Sequence, residues 1–252
     1  MNLPVLWQFT GSHFNEKARW ALDFKGVAHL RRSLLPGPHV LRIRRMTGQT
    51  AVPVLQIDGR VIHDSTRIIE ALEQCRPEPA LYPRSETERR RALELEDFFD
   101  EELGPHIRRA AFYELLGRPD LMVALFSHES GRAARAAYRA TFPLLRAVLR
   151  RALEIDADTA ELSRRKTLAA LDGVEAELGP SGYLVGDRFT VADLTAAALF
   201  SPLVDPPEFP YPQPRSLPRP MVELRESLAG RKAFGWVREM YRHHRGNSAE
   251  IR

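Results

Sequence analysis

A proline stands at the head of a run that otherwise alternates as a β-hairpin. Val52-Pro53-Val54-Leu55-Gln56-Ile57 and Arg60-Val61-Ile62-His63 flank Asp58-Gly59, a dipeptide favoured in two-residue hairpin turns. Proline donates no ladder hydrogen bond, so within a strand it calls for an edge or a special backbone. A cis Val52–Pro53 bond is one such backbone. It would turn the Val52 main chain outward, where a peptide-like ligand can pair with it. An edge-strand proline is the plainer alternative.

Upstream, residues 3–9 alternate, with Leu3, Val5, Trp7 and Phe9 on one face. Thr10-Gly11 ends this strand and Ser12 caps a helix carrying Phe14, Ala18, Ala21, Leu22 and Lys25 at helical spacing, with Gly26 as the stop. A short strand is expected within 27–35, then an irregular Pro- and Arg-rich stretch from Pro36 to Met46. After the hairpin, Asp64-Ser65 starts a helix whose apolar face is Ile68, Ile69, Leu72 and Cys75. The order is β-α-β-irregular-β-β-α. Pro77-Glu78-Pro79 and Tyr82-Pro83 mark a linker at 78–83 between a domain at 1–77 and a second at 84–244.

The second domain reads as all helix. Long patterns cover about 84–117, with a break at Gly104-Pro105, about 130–152, with a kink at Phe142-Pro143, and 160–178. Phe189-Thr190-Val191-Ala192-Asp193-Leu194 combines a capping box with staple positions at Phe189 and Leu194. The nearly uncharged helix that follows should be buried. Residues 202–220 hold eight of the 19 prolines and read as a long ordered loop, before short helices near 221–229 and 231–243. The polar tail 245–252 reads as frayed.

Composition excludes several classes. No apolar run approaches the roughly 20 residues that span a bilayer, and the N-terminus carries no signal-peptide pattern. Cys75 is the only cysteine, so no internal disulfide or cysteine-rich metal site can form, and a cytoplasmic protein is expected. Cys75 itself reads as a core or boundary residue. Basic residues number 37, of which only Lys17, Lys25, Lys166 and Lys232 are lysines, and the net charge is +4. The arginines are interleaved with acids, as in Arg89-Arg90-Arg91 before Glu94, Glu96 and Asp97, which reads as solvated helix surface and not as a nucleic-acid face. His243-His244 point apart on a helix and read as surface, so no metal site is expected. The three tryptophans read as core or interface.

The strand–turn–helix start places Ser12 where unpaired helix N–H groups favour an anion, a thiolate included. Asp64-Ser65 offers a second such terminus, for a carboxylate, with Asp64 available to an ammonium. Taken singly, each reads equally as a plain cap.

In this order and spacing, Ser12-His-Phe-Asn-Glu-Lys-Ala-Arg-Trp-Ala-Leu22, Val52-Pro-Val-Leu55, Asp64-Ser-Thr-Arg-Ile-Ile69 and Tyr183-Leu-Val-Gly-Asp-Arg-Phe-Thr-Val-Ala-Asp-Leu194 resemble the cytosolic glutathione transferases over nearly the whole chain. The resemblance implies a thioredoxin-like N-terminal domain, an α+β unit, followed by an all-helical one. It also implies a serine-type, bacterial-like member with glutathione as co-substrate, no metal, and a homodimer. It matches Ser12 to the thiol-activating position and Asn15 to the position where relatives can carry a second cysteine. Val52 and Pro53 match the backbone partner of the cysteinyl group and the cis-proline, and Asp64 and Ser65 the γ-glutamyl contacts. Asp64 is one methylene shorter than the usual Glu or Gln. The glycyl carboxylate is left to His39, Arg44 or Arg45. The implied reaction joins the glutathione thiolate to a small electrophile lying against Phe14, helix 107–117 and the loop with Phe209 and Tyr211. The alternatives are a glutathione-dependent peroxidase or lyase, and a non-enzymatic binding protein.

Overall fold

A computed structural model describes residues 3–214 and 216–251. Its first layer is a four-stranded sheet with three helices: β1 (Val5–Gln8), α1 (His13–Phe24), β2 (Leu30–Ser33), α2 (His39–Thr47), β3 (Val54–Ile57), β4 (Arg60–His63) and α3 (Ser65–Cys75). Strand order is β2-β1-β3-β4, with β1 parallel to β2 and antiparallel to β3. Leu6 pairs with Leu55 in the centre, and both are fully buried. Asp58 and Gly59 take positive φ, 49° and 74°, as a tight turn of this dipeptide requires. The Val52–Pro53 bond is cis and lies just ahead of β3, so the proline withholds no donor from the ladder.

The second layer is helical: α4 (Glu86–Phe98), a π-helical turn (Phe99–Leu103), α5 (Gly104–Leu115), α6 (Pro119–Phe126), α7 (Arg132–Ala152), α8 (Ala157–Glu177), α9 (Val191–Val204), α10 (Arg219–Leu228) and α11 (Lys232–His244). Every residue of α9 except Pro202 is buried. Its start is built as the sequence suggests. Asp193 accepts from the Thr190 N–H at 2.9 Å and the Thr190 hydroxyl at 2.8 Å, and its other oxygen takes the Leu184 N–H at 2.9 Å. The main core joins α1 and α3 of the sheet layer to α4, α9 and α11. A second cluster lies among α5, α6 and α7 around Met122, Phe126 and Phe142.

The structure corrects the sequence reading at several points. Residues 39–47 form a helix where irregular chain was expected. Pro36 and Pro38 fall ahead of its first turn, where proline is tolerated, and Gly48 closes it at φ 78°. Helix α6 was not anticipated, because Leu121-Met122-Val123-Ala124-Leu125-Phe126 is apolar throughout and shows no periodicity. Cys75 is exposed, at the last turn of α3. His243 is exposed, but His244 stacks on Phe189, 4.4 Å between centroids.

The tail is not frayed over its described residues. Arg245 is buried, donating to Glu16 at 2.6 Å and Asp23 at 2.8 Å. The Ala249 N–H donates to Asp23, the Ile251 N–H donates to the His29 carbonyl, and Glu250 bridges to His29 as a parallel strand would. A polar composition frays only without buried partners, and α1 supplies two carboxylates. Arg19, Arg31 and Arg245 are accordingly buried ion-pair members and not solvated surface. Among the described residues no helix is long and apolar enough to cross a membrane.

Candidate active site

Helix α1 begins at His13 because Ser12 takes extended backbone, φ −97° and ψ 127°, and caps it. The turn between β1 and this cap is fixed from inside. The buried Arg19 guanidinium donates to the carbonyls of Phe9 (3.1 Å), Thr10 (3.4 Å) and Ser12 (3.3 Å), and Glu16 pairs with it at 2.8 Å. Gly11 allows α6 to close on this turn. A Cβ there would stand 2.3 Å from Leu125 Cγ, and the Thr10 hydroxyl donates to the Leu125 carbonyl at 2.7 Å.

Asn15 joins the parts of the site. Its Oδ1 accepts the Phe9 N–H at 2.8 Å, which sets the amide orientation. Its Nδ2 then donates to Ser12 Oγ at 2.8 Å and to the Val52 carbonyl at 3.2 Å. Ser12 Oγ therefore acts as acceptor toward the protein, and among the described residues nothing accepts its own proton. The Val52 N–H likewise has no acceptor among the described residues. Asn15 is fully buried and lies behind this face; it holds Ser12 and Val52 and does not line the space in front of them.

That space is a cavity of about 370 Å³, bordered by Ser12, Phe14 and Val52. Phe112 of α5, Phe126 of α6, Leu149 of α7 and Phe209 of the proline-rich loop add apolar walls. Phe209 is at the cavity as expected, but Tyr211 is not. Tyr211 is buried, its hydroxyl 2.5 Å from Gln8 Nε2 and its ring against the Arg19 guanidinium. The sequence reading also missed His13 and Arg108. His13 Nε2 donates to the Gly104 carbonyl at 2.9 Å, so Nε2 carries the proton. Burial, with Arg108 nearby, lowers its pKa to about 3, so His13 is neutral. Gly104 lets Phe14 reach α5: a Cβ would lie 2.3 Å from Phe14 Cζ.

His39 borders the same cavity, but its ring is already committed. Nδ1 accepts the Gly37 N–H at 3.0 Å, so Nε2 donates to the Thr50 carbonyl at 3.0 Å, and burial holds its pKa below the usual value. A neutral, saturated ring has nothing left for a carboxylate. Arg44 and Arg45 lie exposed on α2.

On the far side of Phe14 an open groove of about 860 Å³ includes Asp64, Ser65, Arg67, Asp97 and Asp100. Asp64 sits at φ 78° and ψ 134°, a strained conformation for a side-chain-bearing residue, and its Oδ1 accepts the N–H groups of Thr66 (2.9 Å) and Arg67 (3.3 Å). Among the described residues its second oxygen accepts from no donor. Beneath the groove, fully buried Lys17 bonds Glu96 at 2.8 Å, Asp100 at 2.5 Å and Thr66 at 2.9 Å. Burial pushes the Lys17 ammonium down, but the two carboxylates more than offset it and its pKa is raised. Asp100 Oδ1 has no partner.

Comparison with known proteins bears on the family and the fold. Residues 6–80 match the glutathione S-transferase N-terminal domain and residues 121–209 the glutathione S-transferase C-terminal domain. A probable maleylacetoacetate isomerase 1 of Drosophila melanogaster is 30% identical over 98 residues, 36% of this chain and 40% of that protein. A maleylacetoacetate isomerase of Dictyostelium discoideum is 26% identical over 113 residues, 41% of this chain and 50% of that protein. The matches thus span half or less of these relatives' length. The crystal structure of the beta-etherase LigF from a Sphingobium species superposes with a TM-score of 0.63 at 20% identity, covering 94% of this chain and 99% of that one, which is a likeness of fold. With both domains matched in order and the sheet and helical layers arranged accordingly, the chain belongs to the glutathione S-transferase family.

Proposed function

We propose that this protein is a serine-type glutathione transferase that joins the glutathione thiolate to a small electrophile. The observation that carries the reading is the Ser12 hydroxyl. Its acceptor side is filled by Asn15, so its proton is left to donate to a sulfur in the cavity. The start of α1 adds its dipole. The unpaired Val52 N–H would meet the cysteinyl carbonyl. The second oxygen of Asp64 would receive the γ-glutamyl ammonium, next to Ser65. The electrophile would occupy the cavity beyond Ser12. This reading carries with it a cytoplasmic homodimer with its domain boundary at 78–83.

The test is glutathione affinity by calorimetry together with thioether formation over a panel of electrophiles, for wild type and Ser12→Ala. The variant should bind glutathione and lose about 10- to 100-fold in kcat/KM, the scale of a hydrogen bond to a charged group. Unchanged turnover would remove Ser12 from the mechanism.

A glutathione-dependent isomerase is the second reading, favoured by the names of the two curated relatives. There the thiolate adds to a double bond, the adduct rotates, and elimination returns glutathione. A lyase acting by displacement would form a thioether as it breaks a carbon–heteroatom bond and releases the displaced fragment, and a peroxidase would give oxidised glutathione. Product analysis separates these: isomerisation returns glutathione unchanged, addition gives a thioether alone, displacement a thioether with a released fragment, and peroxidation the disulfide.

A further inference from the structure

Arg108 is half-buried, and it stands apart from the buried cations among the described residues. Those are paired: Lys17 with Glu96 and Asp100, Arg19 with Glu16, Lys25 with Glu73, Arg31 with Asp23, and Arg245 with Glu16 and Asp23. Arg108 projects from α5 at the edge of the cavity that contains Ser12, and among the described residues it has no hydrogen-bond acceptor and no ion-pair partner. Its Nε is wholly buried and unsatisfied. Its charged neighbours make matters worse. Arg109 is the like charge beside it, and burial followed by Arg109 holds the guanidinium below its ordinary pKa.

The remaining polar groups of the cavity do not neutralise it. Among the described residues Asp205 is the only carboxylate on the wall, and Arg225 takes it at 2.9 Å. His13 and His39 are neutral and bonded to backbone carbonyls. The cavity is thus apolar with one unspent guanidinium. An unpaired buried charge is costly, and a guanidinium offers a planar fork of donors that fits a carboxylate.

We propose that Arg108 binds a carboxylate of the molecule that enters this cavity, so that the second substrate is an organic anion carrying an apolar body. The inference rests on the reading of the cavity as the second-substrate site. The thiolate at Ser12 and the carboxylate at Arg108 would then hold the reacting carbon between them.

The test uses an unreactive probe pair, 3-benzoylpropionate and its neutral amide, titrated by calorimetry into wild type, Arg108→Met and Arg108→Lys. Wild type should bind the acid about 10- to 100-fold more tightly than the amide. The ratio should fall to near one in Arg108→Met and recover in part in Arg108→Lys. Thermal melting supplies a second readout. Without ligand, Arg108→Met should melt no lower than wild type, because the residue it removes makes no protein bond; a structural role would lower it. Equal affinity for acid and amide in wild type, no binding of the acid at millimolar concentration, or a ratio retained in Arg108→Met overturns the proposal. Titration with S-methylglutathione tests the other reading. If that ligand fails to bind while the acid preference follows Arg108, the transferase assignment falls and the carboxylate site stands.

Discussion

The carboxamide of Asn15 spends both its protons on Ser12, three residues before it, and Val52, 37 residues after it. It therefore decides which way the Ser12 proton points. Asn15→Asp keeps the acceptor for the Phe9 N–H but replaces the donor facing Ser12 by an oxygen. The serine would then donate inward, to that oxygen. Asn15→Asp should lose as much transferase activity as Ser12→Ala, about 1.5–3 kcal/mol in kcat/KM. The double variant should lose little more than either alone, and additive losses in the cycle would show that the two residues act separately. His13, next along the chain, makes a pH prediction. Its folded pKa of about 3 lies below its unfolded value of 6.5, so between these limits the unfolded chain binds the extra proton. Stability from this residue is complete above about pH 6.5 and is lost as pH falls, at up to about 1.4 kcal/mol per pH unit. His13→Gln should flatten the stability–pH curve between pH 4 and 6 by about one proton's worth, read from urea midpoints.

Helix α9 shows why some elements can be read from sequence and others cannot. Its start is encoded in six consecutive residues, and both oxygens of Asp193 are used there. An amide at 193 has one acceptor oxygen and would turn its N–H groups on at least one of three buried donors. Asp193→Asn should cost about 2 kcal/mol or more by urea unfolding, with α9 and everything packed on it affected. Burial pushes the Asp193 carboxyl up to about 6, so the folded state holds this proton more tightly than the unfolded chain. Its contribution is therefore greatest in acid and declines as pH rises toward 6. The hairpin at Asp58-Gly59 was legible for the same reason as α9: its signal is local. Helix α2 is short and its start is masked by Pro36 and Pro38, while α6 is apolar on nearly every side and shows no 3.6-residue rhythm. Ser12, Val52 and Asp64 could be found from their motifs. The amide that couples the first two, the committed ring of His39 and the unpaired Arg108 could not, because their partners, or lack of them, are set by segments far away in the chain.

At the scale of the whole molecule, α1 is where the layers are joined, and the joints are ionic. Lys17 reaches Glu96 and Asp100 of the helical layer, while Arg245, past the last helix, reaches back to Glu16 and Asp23. Glu16 also holds Arg19, which holds the turn carrying Ser12. The C-terminal tail is in this way linked to the active site through two side chains. Arg245→Leu leaves one oxygen of Glu16 and half the pairing of Asp23 buried without their cation. Breaking a buried pair from one side costs about 3–5 kcal/mol, so a large fall in urea midpoint is expected. The pH dependence identifies the cause. Burial alone would push the Asp23 carboxyl up, but Arg245 and Arg31 more than offset it and hold its pKa below the ordinary value. The stability this gives is present above about pH 4 and lost as pH falls through the folded pKa. The penalty of Arg245→Leu should therefore be largest near neutrality and shrink in acid. A penalty that is the same at every pH would mean that Arg245 serves through the packing of its stem against Trp20 and not through its charge.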